Sequence, residues 1–291
     1  MKNLAIFIVF LLFQTSIFSQ TEKYSFNVEI KGKGKPIILI PGLASSGEVW
    51  KQTADTLQKK YECHILTLAG FANQKSINLE NGFLPIVKNE ITNYIKNELD
   101  EKPILIGHSL GGFLSLSIAS SETELLSKII IVDSYPFMSL AYNPNATVEN
   151  VLPQAQTMKE ILLSMKDSIF VQQQKMTMPT MITDTTNIKT ATKWSIQSDR
   201  ETIAQAMFEL MTSDLRNEVE QTTIPILVLG SWYGAKDYGI TKEMVKTNYE
   251  NQFSKAKNCK IVIAETARHF IMWDEPKWFL NTIKPFLENE K

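Results

Sequence analysis

Short runs of residues that are apolar at nearly every position recur along this chain of 291 residues and alternate with segments of helical periodicity. A strand that is apolar on both faces must be covered on both faces, which is typical of a parallel sheet flanked by helices. The predicted strands are Ser25–Ile30, Pro36–Ile40, Cys63–Leu68, Pro103–Gly107, Lys128–Asp133, Ile224–Leu229 and Lys260–Ala264. The predicted helices include Gly47–Lys59, Leu84–Leu99, Leu110–Ala119 and Pro276–Leu287. This alternation predicts an α/β fold with helices on both faces of a mostly parallel sheet.

The charge balance excludes several kinds of partner. The chain has 30 Lys+Arg against 31 Asp+Glu, a formal net charge of −1, and no basic run. It therefore lacks the electrostatic footprint needed to bind a nucleic-acid backbone. With 44% hydrophobic residues it can bury a core, and its length suits one large domain or one domain carrying an insertion.

Glycine is distributed unevenly. None of the 12 glycines lies between Gly112 and Gly230, whereas eight of the 11 methionines do. This pattern predicts a glycine-rich scaffold that is interrupted by a helical insertion.

The N-terminus resembles an export signal. Lys2 precedes a short apolar run, Leu4–Phe13, and small and polar residues follow as far as Ser19. These features predict a cleaved signal peptide over residues 1–19 and a secreted or periplasmic protein. The alternatives are an uncleaved anchor and a buried first strand. No cysteine follows the apolar run, so no lipid anchor and no stable membrane anchor after cleavage are expected.

The sequence Gly107-His108-Ser109-Leu110-Gly111 is a G-x-S-x-G motif between an apolar strand and an amphipathic segment. That context is the one in which the motif forms a sharp turn that exposes a nucleophilic serine. Glycine at 107 and 111 lets neighbouring chain pass closely. The alternative is a glycine-lined turn in which the serine only caps a helix. We interpret Ser109 as a nucleophile.

A nucleophilic serine needs a base, and the chain has only three histidines. His108 adjoins the serine and would point away from its hydroxyl, while His64 lies within a predicted strand. His269 follows the last predicted strand in a loop that can reach over the sheet edge, so we assign it as general base and then general acid. Asp274 is expected to cap the following helix.

These features together resemble the α/β-hydrolase superfamily. The resemblance rests on Pro41-Gly42-Leu43, on the Gly107–Gly112 turn and on Arg268-His269-Phe270, and it spans nearly the whole chain after residue 19. It implies an eight-stranded, mostly parallel sheet with a helical cap, and acyl transfer through a serine without metal or cofactor. It also implies an oxyanion hole made by the amides of Leu43 and Leu110. The core would comprise residues 20–134 and 223–291, and the cap or lid residues 135–222.

Two positions compete for the acid of the triad. The commoner family position, after Ile224–Leu229, reads Gly230-Ser-Trp-Tyr and lacks the expected aspartate, although Asp237 follows four residues later. Asp133 ends the Lys128–Asp133 strand, where one branch of the superfamily places its acid. The sequence slightly favours Asp133 and leaves Asp237 as the alternative.

The insertion suggests the class of substrate. Methionine repacks readily, so Met158, Met165, Met207 and Met211 are candidates to line an apolar pocket over Ser109, although packing of the cap explains methionine equally well. We expect a small-molecule ester of small to medium size with an apolar part. The alternatives are a lactone, amide, thioester or C–C bond cleaved by the same triad, or a ligand-binding receptor without catalysis.

The two cysteines do not suit a disulfide. The strand order implied by the resemblance places Cys63 and Cys259 five strand spacings apart, about 24 Å. A disulfide needs Cα atoms within about 7 Å. The sequence therefore predicts two free, mostly buried thiols.

Overall fold

The structure, a computed structural model, describes residues 24–289. The predicted signal peptide over residues 1–19 lies outside the described residues and stays a prediction. The strands are β1 (Phe26–Gly32), β2 (Lys35–Ile40), β3 (Tyr61–Leu68), β4 (Ile104–His108), β5 (Lys128–Val132), β6 (Ile226–Gly230) and β7 (Cys259–Ile263). The helices are α1 (Lys51–Leu57), α2 (Leu84–Glu98), α3 (Leu110–Ser121), α4 (Val148–Ser164), α5 (Asp167–Met181), α6 (Thr185–Ile196), α7 (Arg200–Thr212), α8 (Lys242–Gln252), α9 (Ile271–Asp274) and α10 (Pro276–Glu288).

All seven strands form one sheet in the order β1-β3-β2-β4-β5-β6-β7. The strands from β3 to β7 pair in parallel, and only β1 runs antiparallel, against β3. The mostly parallel sheet is therefore confirmed. Residues 24–289 form seven strands and not the expected eight, a small difference: the residue patterns predicted seven strands, and the eighth came from the family resemblance alone.

The sheet is covered on both faces, as its apolar strands require. Along β2, Ile38 and Ile40 face one core, whereas Ile37 and Leu39 face the other, and all four are fully buried. The first core includes residues of α2 and α3, and the second includes residues of α1 and α10. Within residues 24–289, no helix is long and apolar enough to cross a bilayer.

The glycine-free region between β5 and β6 folds into α4, α5, α6 and α7. Three of these helices begin at a side chain that caps them: Thr147 forms a reciprocal capping box with Asn150, and Asp184 and Asp199 accept from amides of the first turn. Such caps satisfy amides that have no partner within the helix. We call residues 135–222 the inserted segment; their separation as a cap domain stays a prediction.

The cysteines lie where the strand order places them. Cys63 is in β3 and Cys259 in β7, five strand spacings apart, and both thiols are free. Burial raises the pKa of Cys63 to about 11 and that of Cys259 to about 12. The prediction of free thiols is confirmed.

Candidate active site

Ser109 lies in the turn that joins β4 to α3, with its backbone in a conformation that L-residues seldom adopt. Its φ is +52° and its ψ is −118°. The Ser109 amide donates to the Val132 carbonyl at 2.9 Å, and the Phe113 amide donates to the Ser109 carbonyl at 3.0 Å. A strained residue persists only where its surroundings fix it, and such residues cluster at functional sites. The sharp turn expected around Ser109 is present.

Two glycines make this turn possible. A Cβ atom on Gly107 would lie 2.1 Å from the carbonyl oxygen of Gly111, and one on Gly111 would lie 2.3 Å from that of Ile40. Both contacts are with backbone, which cannot rotate away. Glycine at these two positions therefore lets α3 start close against the ends of β2 and β4.

Asp133 and His269 meet at the same edge of the sheet. Asp133 follows β5 with a φ of +49°, and His269 follows β7. The Nδ1 atom of His269 lies 2.7 Å from Oδ2 of Asp133, with side chains that are 26% and 11% exposed. Because the carboxyl ends of parallel strands share one edge, residues that are far apart in sequence converge here.

Two further residues hold the Asp133 carboxylate, and sequence reasoning missed both. Ser231 donates its amide to Oδ1 at 2.7 Å and its hydroxyl to Oδ2 at 2.8 Å, and Tyr249 donates its hydroxyl to Oδ1 at 3.0 Å. Burial, followed by the charge of Asp133, raises the pKa of Tyr249 well above its ordinary value, so Tyr249 stays a neutral donor. A signal existed for Ser231, since it directly follows the strand where the acid was sought. No motif marks Tyr249, which lies in α8.

Asp237 lies elsewhere. It belongs to a short 3₁₀ turn, Tyr233–Tyr238, and is exposed to solvent. The Nδ1 atom of His269, which a triad acid would contact, is hydrogen-bonded to Asp133 instead.

His108 is buried directly behind His269. Its Nε2 donates to the carbonyl oxygen of His269 at 3.0 Å, and the centroids of the two imidazole rings lie 4.6 Å apart. Burial and, next, the proximity of His269 lower the pKa of His108 well below its ordinary value. His108 is therefore neutral at physiological pH and supports the backbone of the loop that carries His269.

The loop after β2 lies against the serine turn. A Cβ atom on Gly42 would lie 3.2 Å from Cβ of Ser109, so glycine brings this loop close to the serine. Among residues 24–289, no protein acceptor takes a hydrogen bond from the amides of Leu43 and Leu110. Leu110 begins α3, where amides have no partner within the helix. The two amides are thus available to a bound oxygen.

Asp274 does not cap the final helix as expected. The residue preceding α10 is Glu275, which makes no side-chain capping bond. Asp274 ends α9, and its carboxylate accepts from Arg268 and Thr183 instead. The nearby carboxylate followed by proline resembled a capping pattern, but the tertiary contact with the inserted segment occupies its side chain.

The four predicted methionines occupy different environments. Met158 is 45% exposed on α4, and Met207 and Met211 are partly buried on α7. Met165, at the end of α4, lines an open groove of about 500 Å³ along α5, together with Ile169, Met176 and Thr180. A role of the four in binding substrate stays a prediction.

Among residues 24–289, no group of three or more His, Cys, Asp or Glu side chains is arranged to hold a metal ion.

A family model described as the alpha/beta hydrolase fold matches residues 35–276. The chain belongs to the α/β-hydrolase family. The match includes Ser109, Asp133 and His269, so the whole arrangement described above lies within the family's fold.

Several relatives of this α/β hydrolase are named pimeloyl-[acyl-carrier protein] methyl ester esterases. The one from Aliivibrio fischeri strain MJ11 is 24% identical over 273 residues, which covers 94% of this chain and 98% of the relative. The one from Vibrio parahaemolyticus is 27% identical over 223 residues, 76% of this chain and 83% of the relative.

Solved structures show the same fold. An esterase from Exiguobacterium antarcticum has a TM-score of 0.74 at 17% identity, covering 91% of this chain and 96% of that one. An enol-lactonase from Burkholderia xenovorans LB400 has a TM-score of 0.74 at 13% identity, with the same coverage.

Proposed function

We propose that this α/β hydrolase cleaves a carboxylic ester through an acyl-enzyme on Ser109, with His269 as base and Asp133 as the acid that orients it. The observation that carries the proposal is the 2.7 Å contact between Nδ1 of His269 and Asp133, at the sheet edge where Ser109 is held at positive φ. The esterase names of its relatives support the same reaction class.

The tautomer of His269 follows from its partner. Since a carboxylate at neutral pH only accepts hydrogen bonds, Nδ1 carries the proton and Nε2 is left to take the proton of Ser109. The serine oxygen attacks the ester carbonyl, and His269 then protonates the departing alcohol. Water, deprotonated by the same nitrogen, releases the acid and regenerates the serine.

The amides of Leu43 and Leu110 are proposed to bind the oxyanion of the tetrahedral intermediate. Both are free of protein acceptors among the described residues, and Leu110 begins α3, where the helix dipole favours negative charge. Donors that are fixed before the reaction need no reorganisation as charge develops.

The proposed substrate is an uncharged ester of small to medium size with an apolar part. The groove along α5 is lined by Met165, Ile169 and Met176, which suit an alkyl chain. Thr180, which also lines it, follows Pro179, whose carbonyl accepts a hydrogen bond from Arg268, the neighbour of His269. The relatives' names suggest methyl esters of longer acyl groups as the first substrates to test.

The test compares wild type with Ser109→Ala on p-nitrophenyl and methyl esters of increasing acyl length. Loss of the nucleophile should lower kcat by at least about 10³-fold, leaving only binding and oxyanion stabilisation. A fluorophosphonate should label Ser109 of the wild type at neutral pH. A folded wild type that neither turns over esters nor forms the adduct would support a non-catalytic receptor instead.

Export to the periplasm or the medium is part of the proposal. It rests on the basic start, short apolar run and small residues of positions 1–19. Sequencing the N-terminus of the protein from a native host tests it, and a cytoplasmic protein that retains residues 1–19 would contradict it.

A further inference from the structure

The loop that carries His269 is fastened to the inserted segment on both sides of the histidine. Arg268, directly before it, donates from Nη1 to the carbonyls of Pro179 and Ile182, the latter at 3.2 Å. Asp274, five residues after it, accepts from the amide of Thr183 at 2.9 Å and from its hydroxyl at 2.7 Å.

The two ends of the histidine loop are also bonded to each other, because the second carboxylate oxygen of Asp274 accepts a hydrogen bond from the Arg268 amide at 2.9 Å. Between them, the Phe270 amide donates to the Met181 carbonyl at 3.3 Å. The loop and the end of α5 thus share a continuous set of hydrogen bonds.

The contact also provides hydrogen-bond donors at the C-terminal end of α5. The last carbonyls of a helix lack partners within it and carry partial negative charge, so a guanidinium is a favourable donor there. Apolar packing supports the contact from one side, because Ile182, Phe270 and Ile271 are buried in one core, while its bond to Ile182 is partly buried and its bond to Pro179 is exposed. Arg268 therefore serves both as the partner of α5 and as the residue that fixes the histidine loop.

On the side of the sheet, His269 itself makes two hydrogen bonds. His269 is bonded to Asp133 through its ring and to His108 through its carbonyl. The loop departs from β7, an edge strand that has a sheet neighbour on one side only. A loop at such an edge needs support from outside the sheet.

We propose that Arg268 is a positioning residue of the ester hydrolysis, which ties the catalytic base to the end of α5. The inference rests on the proposed function. In this arrangement the inserted segment helps to place His269 relative to Ser109. A movement of residues 179–183 away from the sheet would displace His269 as well.

Substitutions at Arg268 test the proposal. Arg268→Met keeps an unbranched side chain but removes the guanidinium donors, and a displacement of the base by about 1 Å costs up to about 10²-fold in rate. We expect kcat to fall between 10-fold and about 100-fold with KM changed less than about 3-fold, and Ser109 to react more slowly with a fluorophosphonate. Arg268→Lys and Arg268→Gln each keep a donor and should each restore part of kcat.

Arg216→Met is the matched control, since Arg216 lies in the inserted segment and bonds to Asp214, away from the histidine loop. It should leave kcat near the wild-type value. Thr183→Val removes the hydroxyl that donates to Asp274, on the C-terminal side of His269. It should lower kcat by a smaller factor than Arg268→Met does. Combined with Arg268→Met, its effect should be less than multiplicative, because both variants loosen the same connection.

Three results would overturn the inference. The first is an Arg268→Met protein with wild-type kcat and labelling rate. The second is a loss that Arg216→Met shares, and the third is a loss that neither Lys nor Gln restores. If Arg268→Met does not fold, Thr183→Val decides, and an unchanged kcat counts against the proposal. Failure of the proposed function is seen separately, as a wild type whose Ser109 is not labelled.

Discussion

Asp133 accepts four hydrogen bonds, and the donors determine which oxygen faces which partner. Oδ1 accepts from the Ser231 amide and the Tyr249 hydroxyl, while Oδ2 accepts from the Ser231 hydroxyl and His269. A carboxylate held on both oxygens cannot rotate freely. The His269 ring is therefore presented in one orientation.

The acid is tested by comparing two asparagine variants. Asp133→Asn keeps the shape of the side chain but lets it bind the wrong tautomer of His269, so kcat should fall by about 10⁴-fold. Asp237→Asn, at an exposed residue, should change kcat less than about 2-fold. Ester turnover of both proteins checks this, and a loss confined to Asp237→Asn would exclude Asp133 as the acid.

Tyr249 is expected to matter through Asp133. Tyr249→Phe removes one donor to a buried carboxylate and should lower kcat about 10-fold, clearly less than Asp133→Asn, because Ser231 still holds the carboxylate. Tyr238→Phe is the control, since Tyr238 is 81% exposed. Equal kcat values in the two phenylalanine variants would contradict this role.

The motif residues could be predicted from sequence because each occupies a fixed position beside a strand. Ser109 and His269 were selected in this way, and their catalytic roles stay predictions. The support of the acid could not, since Ser231 and Tyr249 lie 98 and 116 residues beyond Asp133 and meet it only through the folded sheet. Arg268 and Asp274 were visible in the sequence, but their contacts with residues 179–183 depend on how the inserted helices pack.

At the level of elements, the close crossing of α3 over the ends of β2 and β4 is the least tolerant feature. Gly107→Ala would place a Cβ atom 2.1 Å from a backbone oxygen and should destabilise the protein by more than about 3 kcal/mol or prevent folding. Gly239→Ala is the control: its φ is +80° and nothing lies within 4 Å, so only backbone strain of about 1–2 kcal/mol is expected. Urea unfolding measures both, and similar losses would show that crowding is not the cause.

The elements of the sheet were predictable and those of the insertion less so. Each of the seven predicted strands is present among residues 24–289, and the central ones are buried on both faces, which leaves a signal that does not depend on their neighbours. The four helices of the inserted segment were expected only as a helical region. Two of them have narrow buried faces, since only Val151 and Ala155 are buried in α4 and only Phe170 and Met178 in α5.

At the level of the whole molecule, two buried histidines make stability depend on pH. Burial lowers the pKa of His64, against the opposing effect of Glu62, and lowers that of His108 further. Below about pH 6.5 these two histidines bind protons in the unfolded chain but not in the folded protein, so the free energy of unfolding decreases as pH falls. Each group contributes up to about 1.4 kcal/mol per pH unit until its folded pKa is reached.

Urea unfolding at pH 7.5 and at pH 5.5 measures this loss. The wild type should be less stable at the lower pH, in a range above that in which most carboxylates titrate. His108→Gln should lose less stability between the two pH values, whatever its absolute stability. A loss as large as that of the wild type would show that His108 does not titrate in this way.

Because the two thiols lie far apart in the sheet, they differ in their access to reagents and report on different parts of it. Cys63 is fully buried in β3, flanked by β1 and β2, whereas Cys259 begins the edge strand β7. Neither thiol is ionised at neutral pH, so both react slowly with an alkylating reagent. Cys259 is partly exposed and should react faster, whereas reaction at Cys63 requires β3 to open and records the loss of the sheet as a whole.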